Sequence, residues 1–195
     1  MPALYLKAVS LPHYHESMND IGREFIVQSR YHLTEDYLPK IERCISLLTG
    51  EQIWWRANPE SNSIGNLLLH LSGNVRQWIV SGVGNQRDER NRDSEFAQRE
   101  VISAEDLLQR LRISVKEADS VLANFDPSRL LEKRQIQGLD TSILEAILHV
   151  VEHFSMHTGQ IILLTKQLTA QEMDFYDFQG DRPLLRWQSD PSSSS

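Results

Sequence analysis

Apolar residues recur at helical spacing along nearly the whole chain, and no stretch shows the strict alternation of a half-buried strand. The predicted class is all-α. A first amphipathic stretch, about Met18 to Leu48, places Ile21, Phe25, Leu33, Tyr37, Leu38, Ile41, Ile45 and Leu48 at apolar positions. Pro39 falls inside it and predicts a kink or break near Leu38, because proline lacks an amide donor and crowds the preceding turn. Gly50 reads as the stop. After a loop with Trp54, Trp55 and Pro59, Asn62 or Ser63 caps a second helix that ends in the Gly82 to Gly84 region. The tract Asn85 to Phe96 mixes charges of both signs without a period and reads as a solvated loop.

Ser103 with Asp106 three residues later opens a third helix to about Phe125. A turn at Asp126-Pro127 and a connection containing Gly138 lead to a second capping box, Ser142 with Glu145. It opens the longest regular segment, to about Leu168. Beyond it, Phe175 to Trp187 carries enough aromatic surface to dock on the body, whereas the Ser-rich end is expected to be disordered. The chain shows no internal repeat. The reading is one domain over residues 1–190, a disordered terminus over 191–195, and four main helices with a wrapped tail, for which a four-helix bundle is the default.

Composition narrows the class of partner. The 195 residues are 40% hydrophobic and 24% charged, enough to bury a core without disulfides or a structural metal. A metal, if present, serves function. The single Cys44 sits at core spacing and reads as a small buried hydrophobe. The first fifteen residues lack a signal-peptide apolar region, and no apolar run approaches the about 20 residues that span a bilayer, so a cytoplasmic protein without membrane contact is expected. A net charge of -7 without basic runs argues against nucleic acid as a partner.

Candidate chemistry lies in the last helix. His149, His153 and His157 follow at four-residue steps in a segment rich in Val, Ile, Leu and Phe. Each residue advances about 100 degrees, so the three rings fan out across the helix surface. His157 falls inside the stripe of Ile143, Ile147, Val150, Phe154, Ile161 and Leu168, His153 lies on its margin, and His149 sits further round toward solvent. His153 and His157 can therefore point at one ion. Two imidazoles make an incomplete site, and the second helix offers a third: His70 stands beside the stripe of Ile64, Leu67, Leu71, Val75 and Trp78, flanked by Asn66 and Asn74. Three neutral rings leave the ion's charge unneutralised and a coordination position free, the arrangement of a catalytic rather than a structural site.

Weighed alone, a single His on a helix is more often a hydrogen-bonded core or surface residue, and His-x-x-x-His recurs by chance. The apolar setting of this pair gives it weight, because unpartnered buried rings carry a desolvation cost. His13, His15 and His32 lack that setting and read as surface residues. The zinc-protease pattern HExxH is absent, as are GxSxG, the P-loop and GxGxxG.

The segments NSIGNLLLHLSGNVRQWI, Asn62 to Ile79, and EHFSMHTGQI, Glu152 to Ile161, resemble the DinB-like, damage-inducible superfamily over about Phe25 to Tyr176. In that superfamily a histidine of the second helix and an HxxxH pair followed by a Gly-Gln step bind a divalent metal. The matching residues are His70, His153 and His157, with Thr158-Gly159-Gln160 as the following step and Thr158 in the place often held by arginine. The resemblance implies a four-helix bundle with crossover topology, often a homodimer, binding Zn, Ni or a similar ion. Its relatives imply thiol S-transfer or detoxification with a low-molecular-weight thiol on a small-molecule substrate, or hydrolysis at the same centre. A non-catalytic metal- or ligand-binding stress-response protein is the alternative, and a metal-free cluster of hydrogen-bonded rings a third. Gln160 is a candidate to orient a ligand or water, Asn74 to hydrogen-bond a metal-bound group or an imidazole N–H. Asp174, Tyr176 and Asp177 are candidates for a base or lid, if the tail covers the cleft.

Overall fold

The computed structural model describes residues 12–188, with side chains from Asp20 onward. The expectations for the side chains of His13 and His15, and for Ser192 to Ser195, lie outside the described residues. Helix α1 spans Pro12–Tyr31, and its buried positions Gly22, Ile26 and Ser29, continued by Leu33, recur at helical spacing. Ile21, placed by periodicity on the core side, is exposed. The turn at Pro127 and Leu130 takes the place beside α1 instead: a Cβ on Gly22 would stand 3.0 Å from the Leu130 side chain.

The expected break at Pro39 is a widening. A π-turn over His32–Tyr37 carries the chain from α1 into α2, Leu38–Ser46, with right-handed backbone on both sides of the junction. A wider turn accommodates a residue without an amide donor while the helix continues. Gly50 does not stop this helix. It opens a short one, α3 (Gly50–Trp54), because Thr49 and Gln52 form a reciprocal capping box just before it.

Ser63 and Asn66 cap α4 (Ile64–Val75), which runs on through a second π-turned stretch, Arg76–Val83, to Gly84. Helix α5, Arg92–Ala97, lies within the tract read as loop. Ser103 caps α6, Ala104–Ala123. Ser142 and Glu145 cap α7, Ile143–Thr169.

The all-α reading needs a correction. The protein is mostly helical but carries two antiparallel hairpins, β1 (Lys133–Ile136) with β2 (Leu139–Ser142), and β3 (Tyr176–Gln179) with β4 (Arg182–Leu185). Four-residue strands are too short to display alternation. The first turns at Gln137-Gly138, where both residues have positive φ, the backbone that a two-residue hairpin demands and glycine readily adopts.

Helix α4 and its π-turned continuation pack on α6 and α7, while α2 packs on α7 and α1 on α6. Leu68, Leu71, Val75, Ile79, Leu111, Ala118, Ile147, Val150 and Phe154 are fully buried between them. Cys44 is buried beside Met173, its sulfur 3.8 Å from the thioether, and burial pushes its thiol up to about 11, so it packs as a hydrophobe. The tail does dock: Trp187 Nε1 donates to the Glu35 carbonyl at 2.8 Å, and Lys40 lies 5.3 Å from the Tyr176 ring centre. These contacts seat it against the first π-turn and α2. No helix of the described residues is long and apolar enough to cross a membrane.

The start of α7 fixes where its histidines fall. Glu145 Oε2 accepts from Ser142 N at 2.7 Å, and Glu145 N donates to Ser142 Oγ at 3.2 Å. Backbone and hydroxyl bonds from Ser142, with Lys133 nearby, hold the Glu145 carboxyl down to about 2 from 4.5. Replacing Ser142 by Ala is expected to cost about 1 kcal/mol in urea unfolding at neutral pH. Because the folded value of Glu145 is depressed, its stabilising effect is complete above the unfolded value and lost as pH falls through the folded one. The stability difference between wild type and Glu145→Ala should therefore be constant above about pH 5 and shrink steadily towards pH 2; a difference unchanged by acid would contradict the assignment.

Candidate metal centre

Helices α4 and α7 bring together the three rings that sequence spacing had selected. His70 Nε2 lies 3.0 Å from His153 Nε2, and His157 Nε2 lies 3.2 Å from the same atom. His70 and His157 are buried and His153 is half-buried. One nitrogen from each residue falls within a sphere that a single ion could share, all three lying within 4.8 Å of one another. Metal–imidazole bonds of about 2.1 Å place neighbouring nitrogens roughly 3.0 Å apart in octahedral and 3.4 Å apart in tetrahedral geometry. The two short separations lie within that range.

The hydrogen bonds behind the rings decide which atoms face inward. Glu95 Oε2 lies 2.9 Å from His70 Nδ1, and Gln160 Oε1 lies 2.7 Å from His157 Nδ1. Carboxylate and amide oxygens only accept, so both Nδ1 atoms donate and both Nε2 atoms present lone pairs to the centre. His153 Nε2 meets both, and one hydrogen there could satisfy only one of them. Its Nδ1 is buried without a partner among the described residues. A cation between the three nitrogens resolves the conflict, so the donor set fits a divalent ion.

Burial holds His153 down to about 3, with the neighbouring rings of His157, His70 and His149 and the Arg90 guanidinium adding to the effect. Burial also lowers His157, although Gln160 opposes it. Both rings are neutral near pH 7, the protonation state in which an imidazole nitrogen can bind metal.

Glu95 and Arg90 were not among the expected site residues, because the tract that holds them reads as solvated loop. Arg90 clamps the carboxylate through Nε at 2.7 Å and Nη2 at 2.9 Å. Its Nη2 also lies 3.1 Å from His70 Nδ1, and both nitrogens donate to the Oε2 atom between them. Burial opposes ionisation of Glu95, but the bonds and charges of Arg90 and His70 outweigh it and hold the carboxyl below its ordinary value. From the same short helix, Phe96 lays its ring 4.6 Å from His70. Phe96, the lone aromatic in a charged tract, was the one sequence signal that this segment turns inward.

Gly73 lets the clamp pass. A Cβ there would overlap Glu95 Oε1 and stand 2.8 Å from Arg90 Nε. The outer side of the clamp forms a wall of a cavity of about 500 Å³ that also takes in Leu69, Ser72 and Ile102.

Asn74 does not meet the three rings through a hydrogen bond of its own. Its Nδ2 donates to His149 Nε2 at 3.2 Å. His149, which the angular reading turned toward solvent, is half-buried against Trp78, with ring centres 4.2 Å apart. Asn66 is spent on capping α4 and on the carbonyls of Glu95 and Gln98. His32 is half-buried and stacks on Tyr37 at 5.4 Å. Trp54 is buried and Trp55 exposed. Asp174, Tyr176 and Asp177 belong to the docked tail, where Asp174 faces Arg43 at 3.8 Å.

Removing the carboxylate isolates a buried guanidinium, so Glu95→Ala is expected to destabilise the protein by about 3 kcal/mol. Gly73→Ala should cost about 1 to 3 kcal/mol by overpacking. In double-mutant denaturation the two costs should fall well short of additive, since both displace one clamp; full additivity would place Gly73 outside it.

Comparison with known proteins is consistent with this architecture. Residues 20–178 match the family described as "Protein of unknown function (DUF1572)". The structure is similar to a crystal structure of a DinB-like protein from Bacillus cereus, at 19% identity and a TM-score of 0.58, covering 73% of this chain and 90% of that one. At that identity the likeness concerns the fold. No curated protein matches the sequence.

Proposed function

The chain belongs to the DUF1572 family, and from the chemistry of its site we propose that it is a metal-dependent enzyme with His70, His153 and His157 as the ligands of one divalent ion. The observation that carries the reading is the inward convergence of three Nε2 atoms, two of them fixed as lone-pair donors by Glu95 and Gln160. A four-helix bundle with DinB-like crossover topology is the framework assumed, and Zn or Ni the kind of ion. When bound, such an ion supplies a Lewis-acid position that lowers the pKa of a coordinated thiol or water.

The chain's own residues account for the rest. Glu95 raises the electron density of His70 through Nδ1 and holds its ring in register, Gln160 does the same for His157, and Arg90 keeps Glu95 in place. Phe154, fully buried next to His153 on α7, adds apolar surface beside the rings. Thiol S-transfer or detoxification of a small electrophile, with a low-molecular-weight thiol as co-substrate, is the leading reaction class, and hydrolysis the other. We further propose a cytoplasmic homodimer that does not bind nucleic acid, in keeping with the net charge of -7.

Untagged protein loaded with Zn or Ni should retain about one ion per chain after dialysis, by elemental analysis. His157→Ala and His153→Ala should retain none, and Glu95→Gln should weaken binding roughly 10- to 100-fold in titration calorimetry. Metal content below stoichiometry in wild type and variants alike would remove the site. A screen of thiols with electrophiles, wild type against His157→Ala, then separates an enzyme from a non-catalytic metal-binding protein.

A further inference from the structure

Among the described residues, four buried side-chain polar atoms have no hydrogen-bond partner: Arg56 Nε, Asn74 Oδ1, Trp78 Nε1 and His153 Nδ1. Three of the four belong to side chains gathered about one ring, that of His149. Asn74 is bonded to its Nε2 at 3.2 Å, Trp78 lies against it with ring centres 4.2 Å apart, and the His153 ring is 5.4 Å away. Asn74 and Trp78 are four residues apart on one helix face, the next turns beyond His70. Both are more than nine-tenths buried, at 3% and 5% exposure. Interiors rarely leave polar atoms unmatched, and one such group calls for an explanation. Three about one ring, beside the proposed metal centre, call for a common one.

The chemistry of the three atoms is selective. Trp78 Nε1 carries a hydrogen and only donates, whereas Asn74 Oδ1 only accepts. His153 Nδ1 donates whenever its Nε2 lone pair faces the metal. A complementary group must therefore present an acceptor and a donor side by side. A carboxylate has no hydrogen for Asn74, and an ammonium has no lone pair for Trp78. An amide has both. His149, half-buried between the Asn74 amide and the Trp78 ring, is the third side chain of this group.

We propose that Asn74, Trp78 and His149 form an amide-recognition subsite beside the three-histidine centre, specific for a small neutral ligand that carries an amide close to its metal-binding atom. The carbonyl oxygen accepts from Trp78 Nε1 and the amide N–H donates to Asn74 Oδ1. One helical turn, about 5 to 6 Å, separates His70 from Asn74 along α4, which corresponds to a spacer of one or two atoms between the metal-binding atom and the amide. The subsite rests on the metal reading for the other end of the ligand, but its own contacts do not involve the metal.

The test uses the whole chain and two probes, 2-mercaptoacetamide and ethanethiol, which share a thiol and differ in the amide. In zinc-loaded protein, 2-mercaptoacetamide should bind more tightly than ethanethiol by calorimetry, by at least about tenfold beyond the advantage of its more acidic thiol, the value of one good hydrogen-bond set. Trp78→Phe, which deletes only the N–H donor from this set, should lower the ratio about tenfold, to what thiol acidity alone gives, while leaving zinc stoichiometry and ethanethiol affinity unchanged. In metal-free protein, 2-mercaptoacetamide should shift the indole N–H resonance that Trp78→Phe removes, and ethanethiol should leave it in place. Equal affinity for the two thiols in zinc-loaded protein, or an indole resonance unmoved by the amide, overturns the subsite. So does a Trp78→Phe variant whose metal-free form melts several degrees lower while the preference persists, since the N–H then serves a structural water. Absence of zinc binding overturns the metal reading alone, because the indole shift reports the amide contact without the ion.

Discussion

Everything distinctive about the site depends on one carboxylate held between a guanidinium and an imidazole. Glu95 accepts two bonds from Arg90 and one from His70 within a buried pocket wall. The bond to His70 fixes its tautomer, so the nitrogen facing α7 must be a lone pair. The clamp also anchors α5, which adds Phe96 against the same ring. It exists because position 73 has no side chain: the acid passes over α4 where any Cβ would stand. A single absent methyl group thus lets a charged tract reach the metal-ligand candidate from outside the helix pair.

The second constraint is register. His70 is level with His153 and His157, while Asn74 four residues later is level with His149 four residues earlier, so α4 and α7 run antiparallel through the site. The two helices are started by reciprocal capping boxes, at Ser63 with Asn66 and at Ser142 with Glu145. Those caps set the axial origin of each helix, and fully buried Leu71, Val75, Ile147 and Val150 lock the faces together. A slip of one turn toward His149 would carry His157, with its Gln160 bond, out of reach of His70. Local capping and core packing therefore cooperate to fix an inter-helix distance of a few ångströms.

The parts legible in the sequence are those whose geometry is local to one helix. His153 and His157 share a face by their spacing, and the edge position of His70 follows from the stripe beside it. Ser63, Ser103 and Ser142 announce their helices because each cap acts three residues away. The clamp was not legible in this way. Glu95 meets His70 across 25 positions, from a six-residue helix too short to show a period. Four-residue strands hide for the same reason. Pro39 signalled a disturbance correctly, but whether a chain breaks or widens there depends on tertiary packing, and the stacking of Tyr37 on Phe154 keeps the first helix aligned with α7. His149 shows the limit of the angular argument: a ring turned away from the core stripe can still be covered, here by Trp78.

Energetics separates this region from the core around it. Fully buried Leu71, Val75, Ile147 and Val150 pack the rest of the α4–α7 interface, whereas this stretch holds three converging imidazole nitrogens that share at most one hydrogen, an ion pair and several unpartnered polar atoms. Buried ion pairs contribute little net stability, because desolvation offsets their attraction, and apolar residues of similar volume often serve folding as well or better. Neutral rings without partners cost folding energy outright. A chain assembled for stability alone would fill these positions as it fills the turns above and below, with leucine and isoleucine. The concentration of unpaid polar groups in one layer is intelligible if a cation and a ligand complete them, since binding to the folded state returns the energy that folding gives up. The instability of the bare site and its capacity to bind are then two expressions of one arrangement.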